Sequence, residues 1–495
     1  MHKNKSILFF IPFLILGMFF LSTCTNEKGI PDYNQFPDDV GKIIFTKCAT
    51  PGCHTDASKG ASGGLSMESW DKLFEGGSGS ACVIPFRHDY STFFSYINTY
   101  SDLGITLSPT MPYNETKLTR EEVTLLKTWI NAGAPNRDGE VKFAGNPNRK
   151  KFYVTNQGCD VVTVFDAETL LPMRYINVGA TAGTESPHMV RVSPDGQYWC
   201  VVSLGGEYLE KYRTSDDSFV GRADLNSGAL VGAGNWNTFT ITNDGQKAFC
   251  IDWRAVGAIA EVNLNTYTVT HSIGFNYPHG SSLNPSGDTL YVTQQNGSSK
   301  MYKVPTNDLF SPIEINLFTT PPAVTVDAHD LRFSPDGTKY FVTCQSQGFI
   351  VPEIRVMQTS NDSLLAIIPV GAMPSELSFS TTTPYVFVTC MEDLSFAGKR
   401  GSVAIINYND YSVTSIYTGH QPHGIEVDDA KGLVYVVNRN NSSDGPAPHH
   451  STECGGRNGN VSFINLNTHT MVTTPNGSIK KVEISADPYS VAIRY

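Results

Sequence analysis

The segment that decides the fold is SPDGTKYFVTC, residues 334–344, where a Pro-Asp-Gly turn leads into aromatic and β-branched residues. Similar turns, SPDG, TNDG and NPSG, occur at 193–196, 242–245 and 284–287. In every copy a β-rich run begins four residues after the glycine. Glycine permits the left-handed turn conformation, and Val, Thr and aromatic residues favour strands. Each copy therefore predicts a turn followed by a strand.

These runs recur through the chain after residue 147. They begin at Tyr153, Cys200, Phe249, Tyr291, Phe341, Phe387 and Tyr435. Successive starts are 42–50 residues apart, which is the length of a propeller blade built from four strands. The first run has no inner strand before it, whereas residues 487–493 share the Pro-x-x-apolar pattern of the other inner strands. We therefore expect residues 147–495 to form an all-β, seven-bladed propeller closed by the C-terminal strand, which removes the free sheet edges.

The repeat resembles the YVTN family of seven-bladed β-propellers over roughly 350 residues. This resemblance implies a fold, and it implies little about activity because one fold can carry many functions.

Histidine recurs at one aligned position of the repeat. Counting back twelve residues from each run, and taking the residue after Pro488 for the first blade, gives His188, Asn237, His279, His329, Ser375, His423 and Tyr489. Four of these are histidine in a chain that has 12, and strand direction places all seven at one mouth of the central channel. Two interpretations stay open. The histidines bond to neighbouring blades, or they bind copper, another transition metal or a second haem.

The longest loop on this face follows the seventh run, from Arg439 to Asn460. It adds His449, His450, Glu453 and Cys454 to the candidate ligands. Cys454 and Cys159 occupy equivalent loops of blades that become neighbours when the ring closes, so a disulfide between them is one option. The other propeller cysteines are expected to be packing thiols: Cys200, Cys250, Cys344 and Cys390.

A different chemistry is concentrated near the N-terminus, in CATPGCH at residues 48–54. Two thiols followed directly by a histidine suit covalent haem attachment, because the thiols add to vinyl groups while the imidazole reaches the iron. Cys48 and Cys53 are separated by four residues, where two is usual. Half of a zinc site is the alternative interpretation.

The surrounding sequence predicts a helical frame. Val40, Ile43 and Ile44 form an apolar helix face before the motif, and TREE at 119–122 is a capping box that begins a second amphipathic helix. Between them the loop SPTMP at 108–112 carries Met111, whose thioether is suited to the open face of an iron. Met111 as a core residue, and His88 as the reserve ligand, remain alternatives.

Together these features resemble the class I cytochrome c domain, here a small all-α domain over residues 24–145. The resemblance implies that Cys48 and Cys53 are the thioether attachment points, with His54 the proximal and Met111 the distal ligand of one haem c. It also implies electron transfer.

The first residues have the order of a bacterial lipoprotein signal: Lys3 and Lys5, an apolar core from Ile7 to Phe20, and then Leu-Ser-Thr-Cys ending at Cys24. We expect a signal peptide over residues 1–23 and a lipid on Cys24, with an uncleaved anchor as the alternative. This predicts a lipid-anchored protein of the bacterial cell envelope, facing the periplasm or the surface. The net charge of −11 gives no electrostatic basis for binding nucleic acid.

Three functions fit this organisation, and the sequence does not decide whether the protein is an enzyme. The first is a c-type cytochrome that exchanges electrons with a redox partner protein, with the propeller as a docking or catalytic platform. The second is an oxidoreductase whose propeller holds its own metal or haem at the histidines. The third is a surface binding module.

Overall fold

Seven antiparallel sheets form the blades of a β-propeller in the computed structural model. The structure describes residues 32–227, 234–317, 326–345, 351–448, 452, 454–477 and 480–494. The innermost strands of consecutive blades contact one another around the ring, and the innermost strand of blade seven contacts that of blade one. The predicted seven-bladed propeller is therefore confirmed.

The first three blades begin after residue 150. Blade one contains β1 (Lys151–Asn156), β2 (Val161–Asp166) and β3 (Leu171–Asn177), together with the last strand of the chain. Blade two contains β4 (Pro187–Val192), β5 (Tyr198–Ser203), β6 (Tyr208–Arg213) and β7 (Phe219–Asp224). Blade three contains β8 (Trp236–Ile241), β9 (Lys247–Asp252), β10 (Gly257–Asn263) and β11 (Thr268–Phe275).

The remaining blades follow the same pattern. Blade four contains β12 (Pro278–Leu283), β13 (Thr289–Gln294), β14 (Lys300–Pro305) and β15 (Ile313–Asn316). Blade five contains β16 (Asp327–Phe333), β17 (Lys339–Gln345), β18 (Glu353–Gln358) and β19 (Leu364–Pro369). Blade six contains β20 (Pro374–Phe379), β21 (Tyr385–Cys390), β22 (Ser402–Asn407) and β23 (Val413–Ile416). Blade seven contains β24 (Pro422–Asp428), β25 (Leu433–Asn438), β26 (Asn458–Asn465), β27 (Met471–Val472) and β28 (Lys481–Ala486), and β29 (Pro488–Arg494) completes blade one.

The ring closes as the sequence predicts. Strand β29 pairs with β1 in antiparallel register, with Phe152 opposite Ile493 and Tyr153 opposite Ala492. Blade seven departs from the four-stranded pattern, because β27 is only two residues long and β28 pairs with the other half of β26. The eight residues of β26 are long enough to accept both partners.

The repeated turn has a clear physical basis in blade five. The Ser334 hydroxyl donates to Asp336 Oδ1 at 2.6 Å, and the same carboxylate accepts the Thr338 N–H at 3.0 Å. Gly337 has a φ of 68°, and a Cβ there would lie 2.6 Å from the ring of Pro285 in the preceding blade's turn. Only glycine fits this position, so the motif fixes both the turn and the approach of adjacent blades.

The cores of the propeller lie between neighbouring blades. Blades two and three bury one cluster around Phe239 and Cys250, and blades five and six bury another around Phe341 and Val388. The four cysteines expected to be packing thiols are all free and buried: Cys200, Cys250, Cys344 and Cys390. Each blade needs its neighbour to bury its apolar faces, which explains why the ring must close.

The described N-terminal region, residues 32–150, contains four helices and three short 3₁₀ turns; the helices are α1 (Asp38–Lys47), α2 (Trp70–Leu73), α3 (Thr92–Ile97) and α4 (Arg120–Asn131). Most of residues 32–150 lie in turns and loops, and no strand occurs in this described range. The molecule as a whole is therefore mostly β with few helices. No helix among the described residues is long and apolar enough to cross a membrane.

The two long helices form for the predicted reasons. In α4 the Thr119 side chain accepts the Glu122 N–H at 3.3 Å, while Glu122 accepts the Thr119 N–H at 2.8 Å, which completes the capping box. Helix α1 turns Ile43 and Ile44 inward, and α4 turns Leu126 inward, onto one hydrophobic cluster. This cluster, which we call the N-terminal core, holds the helices together.

Candidate functional site

The motif at residues 48–54 folds as a tight loop at the end of α1. Cys48 caps the C-terminus of α1, and its N–H donates to Ile44 O at 2.9 Å. The Cys53 N–H donates to Thr50 O at 2.9 Å, and the His54 N–H returns to Cys48 O at 3.1 Å. The four-residue spacer is therefore taken up in turns, and it holds both cysteines and the histidine within one compact loop.

Both thiols in this loop are free. Cys48 is buried, and burial raises the pKa of its thiol to about 12, with a smaller contribution from the charge of Cys53. Cys53 is only half-buried. The two thiols are thus close enough for Cys53 to affect the pKa of Cys48, and Cys53 is the more exposed residue of the pair.

His54 lies beside the thiols in a partly apolar setting. Burial lowers the pKa of its imidazole, and backbone groups of Leu65 and Ser62 offset part of that effect. Its Nδ1 is buried and has no hydrogen-bond partner in the described part of the chain. A neutral imidazole with a free nitrogen is suited to donate to a metal.

Met111 packs against the same N-terminal core from the loop that precedes α4. Its N–H donates to Tyr96 O at 2.8 Å, and Lys117 Nζ donates to Pro112 O at 2.5 Å, which ties down the loop on both sides. The Met111 side chain is half-buried against the core that contains Cys48, whereas Met67 is the fully buried methionine of that core.

His88, the reserve ligand, has a different environment. Its Nδ1 pairs with Asn131 Oδ1 at 2.9 Å, and its ring stands edge-on to Phe94 at 5.0 Å. Within the described residues, no group of three or more His, Cys, Asp or Glu side chains is arranged to hold a metal ion. Among the described residues, no second pair of ligands lies near Cys48, Cys53 and His54 to complete the zinc site that the sequence left as an alternative.

The residues fit a covalently attached haem. Two free thiols lie in one loop, a neutral imidazole with an unpartnered buried nitrogen follows them, and a thioether lies on the same apolar core. This donor set is the one that c-type attachment with His and Met ligation requires.

The predicted histidine ring lies at one mouth of the propeller channel, around a cavity of about 300 Å³. The seven aligned positions all lie near the start of the innermost strands and line it: His188, Asn237, His279, His329, Ser375, His423 and Tyr489. The imidazole rings contact one another. His279 and His329 have centroids 4.1 Å apart, and Tyr489 stacks on His423 at 3.7 Å.

Hydrogen bonds occupy one nitrogen on each of two histidines. His279 Nδ1 lies 2.9 Å from His329 O, and His188 Nδ1 is bonded to the Gln157 amide nitrogen. Burial holds the pKa of all four imidazoles below the usual value, strongly so for His188, His329 and His423. At neutral pH the four imidazoles are therefore uncharged.

A second ring around the cavity was not predicted from the sequence. It is formed by the residues four positions after the start of each run: Gln157, Leu204, Trp253, Gln295, Gln345, Met391 and Arg439. The repeat register was a sufficient signal, since the loops after these runs were expected at this mouth. Arg439 is paired with Asp487 at 2.7 and 2.8 Å.

Below the histidines the channel carries charged side chains, which the sequence analysis also missed. Arg191, Arg332, Asp330, Glu376 and Glu426 influence one another electrostatically, and Arg332 donates to Asp330 at 2.9 Å. Burial raises the pKa of Glu376 to about 8. These residues alternate with apolar ones along the inner strands, which is why they face the channel.

The disulfide between Cys159 and Cys454 is present, with Cα atoms 5.3 Å apart. It joins the loop of blade one to that of blade seven. Other predicted residues, namely Cys24, His449, His450, Glu453 and the signal segment 1–23, lie outside the described residues.

Comparison with known proteins shows no family for this chain. No family model matches the sequence, and no curated protein is significantly similar to it. Among solved structures, hydrazine synthase of Kuenenia stuttgartiensis matches 63% of this chain and 93% of its own, at 14% identity and a TM-score of 0.49. A Bacteroides uniformis protein provisionally named 6-phosphogluconolactonase matches 70% of this chain and 99% of its own, at 12% identity and a TM-score of 0.49.

Proposed function

We propose that the protein is an exported c-type cytochrome that transfers electrons through one haem held by Cys48, Cys53 and His54, with Met111 as the second axial ligand. The observation that supports this proposal is that Cys48 and Met111 share the N-terminal core, while His54, in the loop that begins at Cys48, has a buried Nδ1 without a hydrogen-bond partner among the described residues. When bound, the haem would supply a reversible one-electron change of iron.

The chain's own residues would hold and shield that group. Each thiol would add its sulfur and hydrogen across one vinyl group, so attachment consumes no oxidant. Helix α1 and the turns after it fix Cys48 and Cys53, and the neutral His54 can donate without losing a proton. The Met111 side chain packs against the apolar N-terminal core, and methionine ligation would favour a raised potential.

The remaining parts of the proposal concern context. We propose a cytochrome c-like region over residues 24–145 and a YVTN-like propeller over 147–495, with Cys24 lipidated and the protein held at the cell envelope. A redox partner protein would dock on it, and the propeller would serve as the docking or catalytic platform. We do not propose a propeller metal, because hydrogen bonds engage His188 and His279 and no metal-binding trio occurs among the described residues.

The ligand assignment is tested by exchanging methionines. Met111→Ala should abolish the weak long-wavelength absorption band that methionine sulfur gives ferric haem, and it should lower the midpoint potential in a spectroelectrochemical titration. Met67→Leu is the matched control, because Met67 is a fully buried methionine of the same core, and this variant should keep both properties.

If the Met111→Ala protein keeps the band and the potential, Met111 is not the ligand. A band that persists still requires a methionine sulfur, so Met67→Leu then tests Met67 as the ligand. A parent protein that lacks the band from the start points instead to His88, which His88→Ala tests.

A further inference from the structure

Asn237 is a buried side chain without a hydrogen-bond partner among the described residues. It is 1% exposed, and neither its Oδ1 nor its Nδ2 has a hydrogen-bond partner in the described part of the molecule. Leaving a buried polar group unsatisfied costs about 1–3 kcal/mol. Asn237 lines the cavity at the channel mouth, so a molecule in that cavity would supply the missing bonds.

The neighbouring imidazoles repeat this pattern. His188 Nε2 is buried and, within the described residues, likewise has no hydrogen-bond partner. His423 Nδ1 is also without a hydrogen bond among these residues, and it lies 3.7 Å from Glu376 Oε1. Gln157 donates its amide N–H to His188 Nδ1, because its Oε1 faces Arg439, and this leaves the His188 proton on Nε2. Neutral imidazoles and a carboxamide each offer both a donor and an acceptor. The mouth therefore presents a mixture of donors and acceptors.

The mouth is electrically balanced. Among the described residues, Arg439 is the cation that lines the cavity, and both of its bonds to Asp487 are short and direct. The four histidines are uncharged at neutral pH because they are buried. An anion finds no unmatched cation here, and a metal ion finds no trio of ligands among the described residues. A neutral, polar molecule suits this balance best.

The cavity also has apolar walls. Trp253 is 36% exposed at the rim, and Met373 and Met391 line the same space. An indole face packs well against the C–H face of a saturated ring, while its N–H stays available for hydrogen bonding. A volume of about 300 Å³ lies at the lower end of ligand sites in general.

We propose that the mouth of the propeller channel binds a neutral sugar of monosaccharide size. The Asn237 carboxamide would bond to adjacent hydroxyl groups, the imidazoles of His188 and His423 would bond to others, and Trp253 would cover one face of the ring. Hydroxyl groups both donate and accept, which matches the mixture of partners that the mouth leaves unsatisfied.

Isothermal titration of the full chain with D-glucose, D-galactose and N-acetyl-D-glucosamine tests this inference. At least one of these sugars should bind. Asn237→Ala should weaken that binding about tenfold or more, since it removes two hydrogen bonds. The same variant should keep or slightly raise the unfolding temperature, because the lost amide has no partner in the described protein. Asn467→Ala, in the exposed turn between β26 and β27, is the matched control and should change neither property.

Trp253→Ala is a second, independent test at an exposed position, and it should also weaken sugar binding. It keeps the proposal testable if Asn237→Ala does not fold. The proposal is overturned if none of the three sugars binds. It is also overturned if Cu²⁺ or Zn²⁺ binds stoichiometrically at this mouth and the His188→Ala variant loses that metal. A loss of stability in Asn237→Ala without weaker sugar binding would return Asn237 to a structural role.

Discussion

Lys151 shows how a single buried charge is held in blade one. It is 2% exposed, and its Nζ donates to Asp217 Oδ2 at 2.7 Å and to Thr214 O at 2.9 Å. The other carboxylate oxygen of Asp217 accepts the Trp199 indole N–H at 3.3 Å. This ion pair ties the first strand of the propeller to the turn between β6 and β7 of blade two.

Removing one partner of that pair should be costly. Lys151→Met is expected to lower the free energy of unfolding in urea by about 3–5 kcal/mol, because it leaves the Asp217 carboxylate buried and uncompensated. Lys300→Met is the control. The Lys300–Glu314 pair is exposed, and its loss should cost below about 1 kcal/mol. Equal losses in the two variants would contradict this account of the buried pair.

The histidines at the mouth predict a dependence on pH. Burial, helped by the charges of His279 and Arg439, holds the pKa of folded His188 well below its usual value. The unfolded chain takes up this proton as pH falls through about 6.5, so the folded state loses stability below that pH. His188→Gln should remove up to about 1.4 kcal/mol per pH unit of this slope, measured by urea unfolding at a series of pH values. If the stability curves of the parent and the variant are parallel, His188 takes up its proton equally in the folded and the unfolded state, and the explanation is wrong.

At the scale of strands, the repeat is what made the propeller predictable. Turn glycines such as Gly337 and alternating apolar strands are local signals, and seven copies fixed the register of the inner strands. The closing role of β29 followed from the same register. The split pairing of β26 with β27 and β28 was not predictable, because it depends on strand lengths that only blade seven has.

The site was predictable to a smaller extent. The histidine ring followed from alignment, whereas the charged layer around Glu376 and Arg332 did not, because single charged residues within strands give no local pattern. The unpartnered state of Asn237 depends on which side chains face it across the channel. That information exists only in three dimensions.

The disulfide and β29 close the ring at the same pair of blades. Replacing Cys159 and Cys454 together with serine should lower the free energy of unfolding by roughly 2–4 kcal/mol, because the unfolded chain gains freedom. A reducing agent should weaken the parent by a similar amount and leave the double variant unchanged, as followed by urea unfolding. If reductant weakens both proteins equally, the effect belongs to another group.

At the scale of the whole molecule, the N-terminal region packs on the outer edge of blade one. Tyr90 stacks on Tyr175 of β3 at 4.2 Å, and Arg87 donates to Tyr175 O at 3.0 Å and to Asn177 Oδ1 at 2.8 Å. The proposed sugar site lies at the innermost strands. Electron exchange and ligand binding would therefore take place at separate parts of one compact unit, residues 33–495.

The most direct test of the account is the intact mass of the denatured, purified protein together with its haem-stained band on a denaturing gel. We expect a stained band and a mass increased by one haem, both of which should be lost in Cys48→Ala/Cys53→Ala. Cys82→Ala, a buried free thiol of the same region, should leave both unchanged. A parent protein that carries no extra mass after export with haem available, or haem that acidic solvent extracts, would contradict covalent attachment.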